Sequence, residues 1–290
     1  MQCVTNTLNL KEITMNGVTI FNHSARQVLG NLGMAARISG WFFAILILVT
    51  GVAFVVLPDW AIDAALQNPG YLSAEPDMSG SAAALGGLAF IVFIVFALWS
   101  VSLIAIVWHR FILLEEQPQG LIPYRNEFRV GAYFWYGVGI SILAGIVAAV
   151  IGGILYFTLG PSAAQSLAQN SVNGSVFAGL IGAVVLGMVV TIFYLRMALI
   201  LPAVALDYGL TLGKAWEASK GFSGAIAMLA VMLIVMSIVV EFVITMLLGA
   251  GIPVFVTVIL GALYDWFYFM LNISILSTLY GHIVQKREIY

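Results

Sequence analysis

Two acidic side chains lie inside apolar runs that are long enough to cross a membrane. Glu241 stands in the stretch VVEFV and Asp265 in the stretch LYDWF. Transfer scales assign roughly 2.5–3.5 kcal/mol to an aspartate at the centre of a membrane helix, so such residues usually face the protein interior and have a role. The chemistry open to them is hydrogen bonding in the protonated form or the passage of protons or cations.

The sequence predicts that these two acids lie at similar depth. Glu241 comes ten residues before the turn at Gly251, and Asp265 comes fourteen residues after it. At about 1.5 Å per helical residue, their depths differ by about one helical turn. No basic residue is expected at that depth, so at least one acid should be protonated. We predict that both face the interior and share one polar pocket. The other polar side chains expected there are Tyr264, Thr245 and Tyr268.

Arg196 and Asn272 are two further polar residues of the apolar runs. Both lie about 20 residues from the predicted external ends of their spans, which corresponds to about 30 Å of helix. Two interpretations stay open for Arg196. Its charged end can extend to the nearby membrane interface, or it can pair with Asn272 or with an acid of a neighbouring span.

The residue pattern does not predict a catalytic site. His23, His109 and His282 all lie near the predicted cytoplasmic ends of the spans, away from any serine at mid-membrane depth. Cys3 is the single cysteine, so neither an intramolecular disulfide nor a cysteine-rich metal site is expected. We therefore predict no enzymatic activity, no cofactor and no metal site.

The composition predicts an integral membrane protein. Of the 290 residues, 62% are hydrophobic and only 8% are charged, against about 25% charged residues in ordinary soluble domains. Since a helix needs about 20 apolar residues to cross the hydrocarbon layer, six segments qualify. They are approximately 38–57, 82–108, 131–159, 176–200, 223–249 and 252–281. The predicted fold is all-α, with an N-terminal cytoplasmic segment at 1–37 that includes an amphipathic helix and a six-helix transmembrane domain at 38–290.

The positions of the basic residues predict the orientation of the spans. All eleven Lys and Arg residues fall on one side, and the predicted loops 58–81, 160–175 and 250–252 contain none. Cytoplasmic loops carry the excess of Lys and Arg, so this side is assigned to the cytoplasm. Both termini are then cytoplasmic.

A short amphipathic stretch, LTLGKAWEASKGF at 210–222, separates the fourth and fifth spans. Thr211 is a suitable N-cap for a helix over 212–220. We expect this helix to lie in the membrane interface, with Trp216 at headgroup depth and with Lys214 and Lys220 near anionic lipid. An interfacial connection and a docking site for a partner are both open interpretations.

Similar stretches precede two other spans and suggest an internal repeat. TIFNHSARQVLGNL precedes the first span, and a weaker version, IPYRNEFRVGAYFW, precedes the third. We interpret the chain as three parallel units, each an interfacial helix followed by a two-span hairpin, related by an axis along the membrane normal.

Small residues recur at every fourth position in the third and fourth spans and predict close helix packing. In the third span they are Gly137, Ser141, Gly145, Ala149 and Gly153, and in the fourth they are Gly179, Ala183, Gly187 and Thr191. We expect these ridges to join the two spans; contact between two copies of the chain is the alternative.

The stretch RMALILPAVALDYGLTLGKAWEASKG and the closing LSTLYGHIVQKRE resemble a set of bacterial six-span membrane proteins. The set includes the membrane domain fused to some glycerophosphodiester phosphodiesterases and its stand-alone YciC-like relatives. The matching residues are Pro202, Asp207, Leu212, Gly213, Ala215, Trp216, Ser219, Lys220 and Gly221. The resemblance implies a bacterial inner-membrane protein. It implies no catalytic residue, because the phosphodiesterase barrel of the fused proteins has no counterpart here.

We expect a non-enzymatic inner-membrane protein with a scaffolding or accessory role in an envelope process. The expected partners are membrane lipids, with further proteins or a second copy of the chain as candidates, and no nucleic acid. The alternative function is a small transporter or channel that uses Glu241 and Asp265.

Overall fold

The structure is a computed structural model that describes residues 16–56, 80–120, 122–168 and 174–288. Its secondary structure is 85% helical, with no strand in the described ranges. The helices are α1 (Gly17–Leu29), α2 (Leu32–Val56), α3 (Gly80–Leu114), α4 (Val130–Ala168), α5 (Gly174–Met197), α6 (Ile200–Ala205), α7 (Leu212–Ser219), α8 (Ser223–Gly249) and α9 (Val254–Ile283). A 3₁₀ turn, Lys220–Phe222, joins α7 to α8.

Six helices, α2, α3, α4, α5, α8 and α9, are long and apolar enough to cross a membrane. The all-α, six-span prediction is therefore confirmed. The predicted loop at 160–175 begins too early, because α4 continues through Pro161 to Ala168. A proline removes only one backbone hydrogen bond, and membrane helices tolerate that loss. The predicted loop at 58–81 lies almost entirely outside the described residues, as do positions 1–15 of the predicted N-terminal segment.

The packed core lies at one end of the helical bundle. One apolar cluster joins α1, the start of α2, the last turns of α3, the start of α4, the end of α5, all of α6, the start of α8 and the last turns of α9. The basic residues of the described chain lie at this same end, which we call the cationic end. Toward the opposite end, the described side chains are mostly half-buried or exposed, with Thr257 a buried exception. Apart from α4 and α5, which also pack against each other toward the opposite end, the spans are therefore fixed relative to one another mainly through the cationic end.

The fourth span does not end as a single helix, and Pro202 explains the break. A proline ring clashes with the carbonyl four residues earlier, here that of Ala198, and offers it no N–H. Helix α5 accordingly stops at Met197, and the Leu201 N–H bonds the Ala198 carbonyl oxygen at 2.9 Å. The chain then forms α6, whose six residues are all buried. The sequence prediction did not include this short central helix.

The helix predicted ahead of the first span is present as α1. The Asn16 side chain caps it by accepting a hydrogen bond from the Thr19 N–H at 2.8 Å. One face of α1 is buried against α8 and α9, because Gly17, which has no side chain, lets the backbones meet. A Cβ at Gly17 would lie 2.6 Å from Met228 Cβ and 2.7 Å from the Ala225 carbonyl oxygen.

The predicted second repeat unit, which holds the third and fourth spans, lacks its interfacial helix. Residues 122–129 form turns and irregular backbone, and α4 begins only at Val130. Pro123 lies in this segment, and Arg125 is engaged in ion pairs with Glu116 and Glu127 rather than in a helix surface. The regular three-unit repeat is therefore wrong at this position, whereas α1 and α7 precede the first and fifth spans as expected.

Helices α4 and α5 form the most extensive helix pair among the described residues, as the sequence predicts. The contact does not use the predicted ridge of α4, because Gly137, Gly145 and Gly153 have open space around a built Cβ. Gly182 instead faces Leu155 at 3.2 Å, and Gly152 faces Leu186 at 3.5 Å. In both contacts a leucine side chain packs against a glycine of the facing helix, where no side chain fills the space. Each helix therefore receives a leucine of the other, Leu186 at Gly152 of α4 and Leu155 at Gly182 of α5.

Candidate functional site

The two intramembrane acids do not share an interior pocket. Both Glu241 on α8 and Asp265 on α9 are exposed, and within the described residues neither carboxylate has a hydrogen bond or ion pair. The α8–α9 contact is made instead by Tyr264, whose hydroxyl donates to Ser237 Oγ at 3.0 Å. The predicted pocket is therefore wrong, because the hydroxyl pair fills the interface and leaves the acids beside it. Thr245 bonds only the backbone carbonyl of Glu241.

Arg196 is buried by aromatic packing rather than paired with Asn272. Its guanidinium lies 4.7 Å from the ring centroid of Trp216 and donates from Nη2 to Ser223 Oγ. Only 9% of Arg196 is exposed, and its Nε has no hydrogen-bond partner in the described chain. Asn272 is occupied elsewhere, since its Nδ2 donates to the Tyr268 carbonyl oxygen at 2.7 Å. The predicted pairing of Arg196 with Asn272 is therefore wrong, whereas its guanidinium does extend toward the cationic end, where it meets Trp216 and Ser223.

The amphipathic stretch forms the predicted helix α7, with Thr211 Oγ1 accepting a hydrogen bond from the Lys214 N–H at 3.3 Å. Trp216 is half-buried, and its ring lies 6.0 Å from that of Phe193 on α5. This aromatic residue therefore clamps α7 onto α5 over the Arg196 guanidinium. Lys214 is exposed, and Lys220 forms an ion pair with Glu217 at 2.6 Å.

We predict that Trp216→Glu lowers the melting temperature in detergent much more than Lys214→Gln does. The glutamate would remove both the cation–π contact, worth about 0.5–2 kcal/mol, and the packing on Phe193. Lys214 is exposed and has no comparable contact in the described residues. Fluorescence-detected size-exclusion after heating measures the difference. Equal melting temperatures for the two variants would show that α7 is not held by this clamp.

Arg110, at the end of α3, organises a polar pocket that the sequence prediction did not anticipate. Its Nε and Nη2 donate to the two carboxylate oxygens of Glu116 at 2.9 and 2.7 Å, and its Nη1 donates to the Ala205 carbonyl oxygen at 3.0 Å. Asp207 lies between Arg110, at 4.0 Å, and Arg129, at 3.8 Å. The pocket beside these groups has a volume of about 420 Å³.

The charges of this pocket compensate one another. Hydrogen bonding from Arg110 lowers the pKa of the Glu116 carboxyl, and the Phe128 ring lies 5.5 Å from the Arg110 guanidinium. Three arginines and three acids share the network, the third acid being Glu127. A balanced network of this kind joins α3, the 115–129 connection and the end of α6. One feature of the sequence could have indicated this network: Glu116 follows Arg110 by six residues, with the end of a helix between them.

His109 is bonded to a serine that lies near the cationic end, six residues before the end of α9, and not at mid-membrane depth. Its Nδ1 lies 2.8 Å from Ser277 Oγ, and its Nε2 lies 3.1 Å from Tyr133 Oη. Ser277 also donates to the Ile273 carbonyl oxygen at 3.1 Å. Its Oγ therefore accepts a hydrogen bond from the imidazole, which is assigned the tautomer with the proton on Nδ1. His109 and Ser277 are both fully buried. The arrangement joins α3, α4 and α9 and does not prepare the serine for nucleophilic attack.

The closing stretch LSTLYGHIVQKRE connects α9 to its neighbours at the cationic end. Thr278 Oγ1 accepts a hydrogen bond from Ser24 Oγ of α1 at 3.0 Å. Just before this stretch, Ser274 donates to Oε1 of Gln27, also on α1, at 2.6 Å. Arg287 reaches the last turn of α3 and donates to the Leu113 carbonyl oxygen at 2.6 Å. Cations commonly satisfy the free carbonyls at helix C-termini. These polar residues therefore have structural roles.

No group of three or more His, Cys, Asp or Glu residues suited to a metal ion occurs in the described part of the chain. Comparison with known protein families, with curated proteins and with solved structures finds no match. The candidate site is the cationic end, in which buried polar contacts hold α1, α6 and α7 in place.

Proposed function

We propose that this chain is a non-enzymatic protein of a bacterial inner membrane with a scaffolding or accessory role in an envelope process. The observation that carries the proposal is the way α7 is held. Ala215 and Ser219 are buried on one side of this helix, and Trp216 clamps it over Arg196. A short surface helix is thereby fixed on the packed end of a membrane protein.

The outer face of α7 supplies a docking surface. Its exposed residues are small or charged, namely Gly213, Lys214, Glu217 and Ala218. Small residues allow close approach of a partner backbone, and the flanking charges provide orientation. The positive-inside rule assigns this face to the cytoplasm. Lys214 is also available to anionic lipid headgroups, so membrane lipid is the second partner of the same surface.

Site-specific photocrosslinking in cells tests this docking surface. A photoreactive residue in place of Ala218 should give a discrete protein adduct, and Lys214→Glu in the same chain should abolish it. The matched control is the same replacement at Ala36, which is exposed at the cationic end on α2. Adducts of equal yield at both positions, or no adduct at Ala218, would contradict the proposal.

The transporter alternative is supported by a different observation. Glu241 and Asp265 are exposed in the loosely packed half of the bundle, where acids are costly unless water or a cation reaches them. Proton flux into proteoliposomes would favour transport if Glu241→Gln and Asp265→Asn each abolish it and the surface control Glu217→Gln does not. The scaffolding proposal predicts no flux above that of empty liposomes.

A further inference from the structure

A cavity of about 520 Å³ lies between α3, α4, α5, α6 and α9. Its lining is mainly apolar and contains no charged side chain. The five polar side chains of the lining are Ser102, Tyr133, Ser141, Tyr194 and Asn272. This combination of size, apolar walls and a few polar groups is typical of small-molecule sites. It differs from the Arg110 pocket, whose groups are charged and mutually paired.

Three of the polar groups lie at one depth inside the membrane. Ser102 is twelve residues from Leu114, the last residue of α3. Ser141 is eleven residues from the start of α4, and Asn272 is eleven residues from the end of α9. At about 1.5 Å per residue, all three lie about 16–18 Å from the cationic ends of their helices. The cavity therefore offers hydrogen bonds near the middle of the hydrocarbon layer.

Part of this hydrogen-bonding capacity is unused by the described protein. Tyr194 Oη, Ser141 Oγ and Asn272 Oδ1 have no hydrogen-bond partner in the described residues, since Asn272 engages only its Nδ2. Tyr133 is different, because its hydroxyl is bonded to His109. Two hydroxyl donors and one amide acceptor thus face a cavity from which charged groups are absent. A polar group in such surroundings is stabilised by a partner of matching, uncharged character.

We propose that this cavity binds an uncharged membrane lipid whose carbonyl oxygen accepts hydrogen bonds from the Tyr194 and Ser141 hydroxyls and whose hydroxyl group, in a lipid that has one, donates to Asn272 Oδ1. Its apolar chain occupies the remaining, mainly aliphatic and aromatic wall. A charged headgroup is disfavoured, because the lining offers no ion pair and a charge there would lose its hydration. Isoprenoid quinones and diacylglycerols share this chemistry. The site goes beyond the docking function of α7 and does not depend on it.

Gly137 and Gly145 provide a matched pair for testing the cavity. Gly137 lines it, whereas Gly145 lies two turns further along α4 and is not among its lining residues. A Cβ meets no atom within 4 Å at either position, so both Gly137→Leu and Gly145→Leu should fold. Only the leucine at 137 would fill space needed by the lipid. We expect affinity to fall by about tenfold or more for Gly137→Leu and to stay within about twofold for Gly145→Leu.

The neutral probes are ubiquinone-2 and dioctanoylglycerol, and dioleoyl phosphatidylglycerol is the charged comparison. Each is titrated onto the full chain in dodecyl maltoside, and native mass spectrometry measures the binding. Tyr194→Phe, a nearly isosteric change, should weaken the preferred neutral probe by about threefold to tenfold. Saturable binding of either neutral probe, weakened by Gly137→Leu and Tyr194→Phe but not by Gly145→Leu, supports the site. The neutral probe that binds more tightly identifies the class of lipid. Three results would overturn it: no binding of either neutral probe, tighter binding of the charged lipid, or equal loss in both leucine variants.

Discussion

Gly17→Ala is expected to lower the free energy of unfolding by about 1–3 kcal/mol, the usual cost of overpacking a fitted contact. The added methyl group would stand 2.6 Å from Met228 Cβ and 2.9 Å from the Leu229 backbone nitrogen. Neither neighbour is the end of a flexible side chain, so α1 must move away from α8. That movement would also strain the hydrogen bond between Ser24 and Thr278.

Gly33→Ala is the matched control for this substitution. Gly33 also lies in the first turn of a helix at the cationic end, and a Cβ there meets nothing within 4 Å. Alanine favours helix over glycine by up to about 1 kcal/mol, so this variant should be neutral or slightly stabilised. Melting temperatures in detergent measure both effects. Similar melting temperatures for the two variants would mean that α1 does not pack on α8 as described.

His109→Leu is expected to have the second large effect. The leucine would leave the Tyr133 hydroxyl without its partner, and Ser277 would lose one of two hydrogen bonds. A stranded buried polar group costs about 1–3 kcal/mol. Since Tyr133 is 5% exposed, water can replace the imidazole only poorly. The expected result is a large loss of thermal stability and of monodisperse protein after extraction.

The double variant His109→Leu/Tyr133→Phe distinguishes the lost hydrogen bond from lost packing. Removing the phenol hydroxyl removes the stranded group, so the double variant should be more stable than His109→Leu alone. Chemical unfolding of the wild type, both single variants and the double variant completes the cycle. Additive losses would show that the His109–Tyr133 contact contributes nothing to stability.

The architecture could be predicted from the sequence because it depends on long, one-dimensional signals. The lengths of the apolar segments define the six spans. The helix start at Thr211 follows from its side chain, which caps the backbone N–H three residues later. The helix ahead of the first span could be predicted for a similar reason. In each case the determining residues are close together in the sequence, so pattern and structure coincide.

The polar contacts between helices could not be predicted, because they depend on how each helix is rotated about its axis. His109 meets Ser277 and Tyr133 from two other helices, and nothing in the spacing along the chain requires this. Glu241 and Asp265 illustrate the same limit: their depths match, but depth does not determine the face on which a side chain lies. Pro202 was a local signal for α6, but only a packed core gives that short helix a reason to form.

Cysteine accessibility on intact cells tests the central claim, that the cationic end with α7 faces the cytoplasm. In a Cys3→Ser background, Ala218→Cys places an exposed thiol on α7, and Ala250→Cys places one just beyond the far end of α8. The 27 residues of α8, about 40 Å of helix, lie between the two positions. We expect a membrane-impermeant maleimide to label position 250 on intact cells and position 218 only after permeabilisation. Labelling of position 218 on intact cells, with position 250 protected until permeabilisation, would contradict it.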